Sequence, residues 1–180
     1  MIIGRKMSDK HLNQEQFAHL IPHAGSMRLI DQVDAWSTHH IQCTTRTHLA
    51  SENPLRMGDG LSVMHLIEYG AQSMAIHGGL LSGKSSPGYL AAVRGAHFYI
   101  NSMNSVTGAL HIQASAELKI ENGAVYSFNI TDDQGILLLD ARATVIHTQA
   151  WKKHWLPAVV AISAPPYANA SLAKIYMSLC

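Results

Sequence analysis

Glu68 stands inside an otherwise apolar stretch, Leu61 to Gly83, with His65 three residues before it and Gln72 four residues after. In a helix those three side chains share one face and point at one place. A carboxyl group in apolar surroundings has its neutral form favoured, which suits a proton donor near neutral pH. The same group can instead be a buried structural glutamate bonded to Gln72 or to backbone. Gly58-Asp59-Gly60 and Ser62 precede the stretch and are expected to leave backbone N–H groups at a helix start, where a carbonyl or phosphate oxygen can be held. Twelve histidines are present, and none falls in an HxH or HExxH ligand pattern. Gly83-Lys84-Ser85-Ser86 lacks the upstream glycine and spacing of a phosphate-binding loop.

The elements that must carry these residues follow from periodicity. Leu61, Met64, Ile67, Ala71 and Met74 recur at three- and four-residue spacings, and Val63, Leu66, Tyr69, Ala75 and Ile76 fill the other sides. A helix apolar all round is a buried one. Glu68, Gln72, His65 and His77 argue against a bilayer span, because a carboxylate at its centre is costly, so the stretch predicts a central helix sheathed by protein. A short helix over 14–21 ends at Pro22. Met27, Leu29, Ile30 and Val33 begin a strand pattern, and five further strands are predicted at 41–49, 89–100, 109–120, 124–131 and 136–147. Six strands in hairpins around one apolar helix make an α+β architecture.

A chain of 180 residues is read as an arm (1–13), one domain (14–150) and a C-terminal extension (151–180) in which Ala170 to Leu179 forms a short amphipathic helix. Cys43 and Cys180 suggest neither a disulfide framework nor a metal site. No signal-peptide core or membrane-length apolar run is seen, and cytoplasm is the expected location. A formal charge of +1 without a basic run gives no footprint for nucleic acid. Neither a metal nor an organic cofactor is expected.

Three segments occur in a telling order: IPHAGSMRLIDQV at 21–33, LIEYGAQSMA at 66–75 and YLAAVRGAHFYINSMNSVTGALHIQASAEL at 89–118. Over residues 14–148 the chain resembles the hotdog-fold 3-hydroxyacyl-[acyl carrier protein] dehydratases, and within them the divergent group associated with aryl polyene biosynthesis. The resemblance implies a bent antiparallel sheet wrapped around the long helix, and a homodimer or a mixed hotdog dimer. It places the acyl chain in a tunnel at the dimer interface, the substrate being an acyl thioester of acyl carrier protein. It also implies that an acid on the central helix works with a histidine from the partner subunit. The histidine takes the C2 proton, the acid protonates the departing 3-hydroxyl, and helix N-terminal amides polarise the thioester carbonyl.

Carried over residue by residue, Glu68 falls on the acid and Gln72 on the glutamine four positions later. Gln72, Gly58 and Gly60 are the expected substrate-binding positions. The usual loop histidine is missing, since Asn53, Pro54 and Leu55 stand where Gly-His-Phe is expected. His23, in the PHAGSM segment, ranks first as the substitute base and His48 second; His65 shares the helix face of Glu68. Three functions remain open: a dehydratase, an inactive hotdog subunit paired with an active one, and a hotdog thioesterase in which Glu68 activates water.

Overall fold

The structure is a computed structural model, and it describes residues 11–58, 60–85, 88–120 and 122–147. The C-terminal extension, with its expected helix at 170–179, lies outside the described residues. Seven strands form one antiparallel sheet: β1 (Leu12–Asn13), β2 (Gln32–Trp36), β3 (His40–Thr45), β4 (Gly88–Phe98), β5 (Leu110–Ile120), β6 (Gly123–Thr131) and β7 (Leu137–His147). Their order across the sheet is β1-β2-β3-β5-β6-β7-β4. A short helix α1 (Gln14–Phe17) and the central helix α2 (Leu66–Ser82) complete the unit. Between β3 and β4 the chain passes through α2 to the far edge of the sheet, then returns to lay β5 beside β3.

Strand alternation explains which side faces the helix. Leu110, Ile112, Ala114 and Ala116 of β5 are buried, as are Ala124, Tyr126, Phe128 and Ile130 of β6. Side chains two apart share a face, so these rows make one apolar surface. Register shifts interrupt the ladders in β2, β4, β5 and β6. Such bulges bend strands and increase their twist, which lets a sheet wrap around a helix.

The helix meets the sheet closely at Gly70, where a β-carbon would come within 2.3 Å of the Phe128 ring. On another side it meets the N-terminal segment, where a β-carbon on Gly79 would stand 2.7 Å from that of Leu20. Covered from both directions, α2 buries Leu66, Tyr69, Met74 and Ile76 together with Glu68, Gln72 and His77. This is the hotdog arrangement that the sequence implied.

Several boundaries differ from the expected ones. Leu12 and Asn13, placed in the arm, pair with Val33 and Gln32, giving a seventh strand. The central helix begins with a 3₁₀ turn at Val63–His65, capped by the Ser62 hydroxyl accepting from Met64 N–H, and becomes α-helical at Leu66. The first strand pattern starts late: residues 25–27 make a 3₁₀ turn, and β2 opens at Gln32. Likewise the strand expected to reach Leu49 stops at Thr45. Side chains explain both changes, because the Thr45 and Thr47 hydroxyls donate to the Leu29 carbonyl at 2.6 and 2.7 Å. Local side-chain bonds of this kind satisfy a backbone group that would otherwise belong to a ladder.

Candidate active site

Glu68 lies in the first turn of α2 and is 3% exposed. Its Oε1 accepts from Gln72 Nε2 at 3.1 Å and lies 3.5 Å from Nε2 of His23 in the same chain. His23 is also buried, and neither of its ring nitrogens has a hydrogen-bond partner. A buried imidazole with two unsatisfied nitrogens is an exception among folded proteins and needs a reason. A ligand oxygen about 3 Å from both His23 Nε2 and Glu68 Oε1 would bond to each. The resemblance implied a histidine arriving from a partner subunit, whereas here the pair is made within one chain.

Gln72 explains how. Its Oε1 accepts the Leu29 N–H at 2.9 Å, and its Nε2 donates to the Met27 carbonyl at 2.8 Å as well as to Glu68. Both amide hydrogens are therefore spent, and the side chain ties the segment after His23 to the helix one turn beyond Glu68. Arg28 adds a bond from its Nε to the His23 carbonyl at 3.1 Å.

Gly58 and Gly60 are otherwise employed. Gly58 adopts a left-handed φ of 63° in a tight turn, and Gly60 N–H bonds to the Met57 carbonyl at 3.4 Å while its own carbonyl accepts from Met57 N–H at 3.0 Å. The amide expected to be bare at Gly60 is paired within that turn.

His48 is buried at the end of a 3₁₀ turn over Thr47–Leu49, and neither ring nitrogen has a hydrogen-bond partner. Burial pushes its pKa down; the Val106 backbone opposes this from outside hydrogen-bond geometry, and the Arg46 and Arg56 charges lower it further. Its charged surroundings are thus Arg46, Arg56 and Asp31 rather than Glu68. His65 is buried beside α2 with Nδ1 unpartnered; burial lowers its pKa and the Glu68 charge raises it.

Two buried polar residues make bonds that the sequence reading did not anticipate. Asn53, in the loop that lacks the usual histidine, donates from Nδ2 to the Tyr69 hydroxyl at 2.9 Å and to the Thr47 carbonyl at 2.8 Å. Its Oδ1 accepts the Leu55 N–H at 3.0 Å. The second is His77, whose Nε2 donates to the Ser37 carbonyl and whose Nδ1 accepts from the Tyr126 hydroxyl, both at 2.9 Å. A carbonyl can only accept, so the proton of the neutral ring sits on Nε2. Burial lowers the pKa of His77 and pushes the Tyr126 phenol up to about 12. The signal for His77 was a polar residue inside an apolar element, which must find a partner when buried; Asn53, in a polar loop, gave none.

A groove of about 280 Å³ is lined by His23, Ala71, Ala75 and Gly78 and by Leu90, Ala124 and Val145. Among the described residues no helix is long and apolar enough to cross a membrane, and no group of three metal-ligating side chains comes together.

Comparison with solved structures agrees with this fold. The dehydratase heterocomplex ApeI:P from Xenorhabdus doucetiae aligns with a TM-score of 0.66 and 21% identity, over 73% of this chain and 90% of that one. A mutant of a hypothetical thioesterase from Streptococcus pneumoniae TIGR4 aligns with a TM-score of 0.50 and 15% identity, over 64% and 88%. A mutant thioesterase from Staphylococcus aureus Mu50 aligns at 0.50 and 14%, over 64% and 90%. At these identities the likeness is one of fold. No curated protein matches the sequence. The family described as ApeP dehydratase matches residues 15–155, which is most of the chain and all of the site, and the protein belongs to this ApeP-like family.

Proposed function

We propose that this protein dehydrates 3-hydroxyacyl groups carried on acyl carrier protein, with His23 as base and Glu68 as acid. The observation that carries the reading is the 3.5 Å approach of two buried, chemically complementary side chains, one of them an imidazole with no other partner. His23 Nε2 removes the C2 proton, the C2–C3 double bond forms, and the C3–O bond breaks as Glu68 gives its proton to the departing hydroxyl. The products are a 2-enoyl thioester and water. Transfer of the proton from His23 back to Glu68 resets the pair without a net exchange with solvent. Base and acid acting together on a weakly acidic C–H bond contribute typically 10²–10⁴-fold each.

A second reading is a hotdog subunit that shapes the site of an active partner without turning over itself. It is favoured by residues 53–55, where Asn53 is bonded to Tyr69 and Thr47 in place of a loop histidine. The pairing of two hotdog chains in the Xenorhabdus heterocomplex suits either reading. Incubating the purified protein, alone and with a hotdog dehydratase partner, with a 3-hydroxyacyl thioester of acyl carrier protein separates them. Loss of water, read by mass spectrometry and abolished by His23→Ala in this chain, supports the first; loss of water that survives His23→Ala supports the second. Release of free thiol instead assigns a thioesterase.

A further inference from the structure

We propose that Gln14 is a positioning residue for His23, holding from the N-terminal side the same short segment that Gln72 holds from α2. Its effect on turnover rests on the dehydratase reading, whereas its grip on the segment is a property of this chain's fold. Residues 28–31 belong to no helix or strand, so their backbone groups need partners from outside a regular ladder. Side chains supply them. Gln14 Nε2 donates to the carbonyls of Arg28 and Ile30 at 3.1 and 2.9 Å. Between these two, Leu29 gives its N–H to Gln72 and its carbonyl accepts from the Thr45 and Thr47 hydroxyls. The two glutamines therefore take alternate residues of one stretch of chain.

Gln14 stands where it can do this because the ladder between β1 and β2 ends beside it. Leu12 and Asn13 pair with Val33 and Gln32, and the chain then turns into α1, whose first residue is Gln14. Asn13 caps that turn, its Oδ1 accepting the Gln16 N–H at 3.1 Å while its own N–H donates to Gln16 Oε1 at 2.9 Å. Both amide hydrogens of Gln14 then carry the contact past the last ladder pair, onto the carbonyls of residues 30 and 28.

From Arg28 the constraint passes to His23. Arg28 N–H donates to the Gly25 carbonyl at 3.1 Å, Met27 N–H to the Ala24 carbonyl at 3.2 Å, and Arg28 Nε to the His23 carbonyl at 3.1 Å. Residues 23–28 are thus stitched into one unit whose far end is the carbonyl that Gln14 holds. The His23 ring has no hydrogen bond of its own, so its approach to Glu68 is set by packing and by where this unit is anchored. Gln72 anchors it at Met27 and Leu29, and Gln14 at Arg28 and Ile30. With one anchor removed the unit can turn about the other, and a displacement of about 1 Å in a reacting group can cost on the order of 10²-fold in rate.

The test uses Gln14→Met, which keeps the length of the side chain and removes both donors, in the full chain and under conditions where thermal unfolding shows it fully folded. Gln14→Asn, one methylene shorter, carries the same test if Gln14→Met does not fold. With a 3-hydroxyacyl thioester of acyl carrier protein, kcat per folded molecule is expected to fall roughly tenfold while KM stays within about twofold, since the lost group touches no substrate and acts through the base. A second readout needs no turnover. The His23 ring resonance, identified by its absence in His23→Ala, should be displaced by Glu68→Gln in the parent chain, and that displacement should shrink to less than about half in the Gln14→Met background as the two rings of contact separate. An equal displacement in both backgrounds overturns the positioning role whatever the rate, and leaves the dehydratase reading standing if the parent turns over. A parent chain that dehydrates nothing sinks that reading instead, and the resonance alone then decides whether Gln14 aims His23 at Glu68.

Discussion

The Leu29 N–H donates to Oε1 of Gln72 across 2.9 Å, joining residues 43 positions apart at the place where the segment after His23 meets the helix that carries Glu68. The same amide side chain holds Glu68 Oε1 and the Met27 carbonyl. Replacing Gln72 with Leu removes all three bonds in a fully buried setting. Each buried group left unsatisfied costs about 1–3 kcal/mol. Gln72→Leu should therefore unfold at clearly lower urea, and at concentrations where it remains folded its kcat should fall more than its KM rises. A variant as stable and active as the parent would show that the clamp is dispensable.

Glu68→Gln keeps the side-chain volume and can still bond to Gln72, but it has no acid proton to give. Turnover should drop by about 10²-fold or more while the melting temperature holds close to that of the parent. His23→Ala should cost a similar factor with little loss of acyl binding. Full activity in either variant would remove that residue from the mechanism.

Asn53 links the loop before α2 to the helix through the Tyr69 hydroxyl, which lies 3.3 Å from the Thr47 hydroxyl. Asn53→Ala leaves the Thr47 carbonyl and the Tyr69 hydroxyl each short of a donor. A loss of about 1–3 kcal/mol is expected in equilibrium unfolding. Adding Tyr69→Phe should recover only part of it, because the Thr47 carbonyl still lacks its donor.

Burial holds the pKa values of His48, His65 and His77 below the usual 6.5. The unfolded chain therefore binds protons on these residues before the folded chain does, and stability falls as the pH drops below about 6.5. The loss continues until the folded-state values are reached, while above 6.5 these residues contribute no pH dependence. Urea midpoints should hold level from pH 7.5 to about 6.5 and decline from there to pH 5. His77→Phe should be less stable at neutral pH, because Ser37 and Tyr126 lose a partner, yet show a shallower decline. An equal slope in that variant would exclude His77 as a contributor.

Among the described residues β4 forms a ladder with β7 and lies at the edge of the sheet, 11 residues long. A strand of this length at a sheet edge invites another strand. Sedimentation at micromolar concentration should show a dimer of this chain or, when mixed with a hotdog partner, a mixed dimer. A monomer under both conditions would count against a paired edge.

The sequence by itself determined the layers. Apolar residues on every side of Leu61–Gly83 demand a buried helix, and strands of alternating pattern after Gly88 demand a sheet with one face turned to it, because periodicity and the hydrophobic effect act locally along the chain. It also singled out Glu68, Gln72 and His23 as a matter of type and motif. What it left open was which histidine stands beside Glu68. His23, His48 and His65 are alike as residues, and choosing among them depends on bonds between segments far apart in the chain. Only the tertiary structure, through Gln72 gripping Met27 and Leu29 while Thr45 and Thr47 hold the Leu29 carbonyl, brings His23 to 3.5 Å and leaves His48 among Arg46, Arg56 and Asp31. The difference between Gly78 and Gly79 was equally hidden, since the two are identical residues side by side and only the fold sets Leu20 against one and nothing within 4 Å of a β-carbon on the other. A hydrogen-bond partner or a steric neighbour is a property of the fold, and spacing along one element carries no record of what another element brings to it.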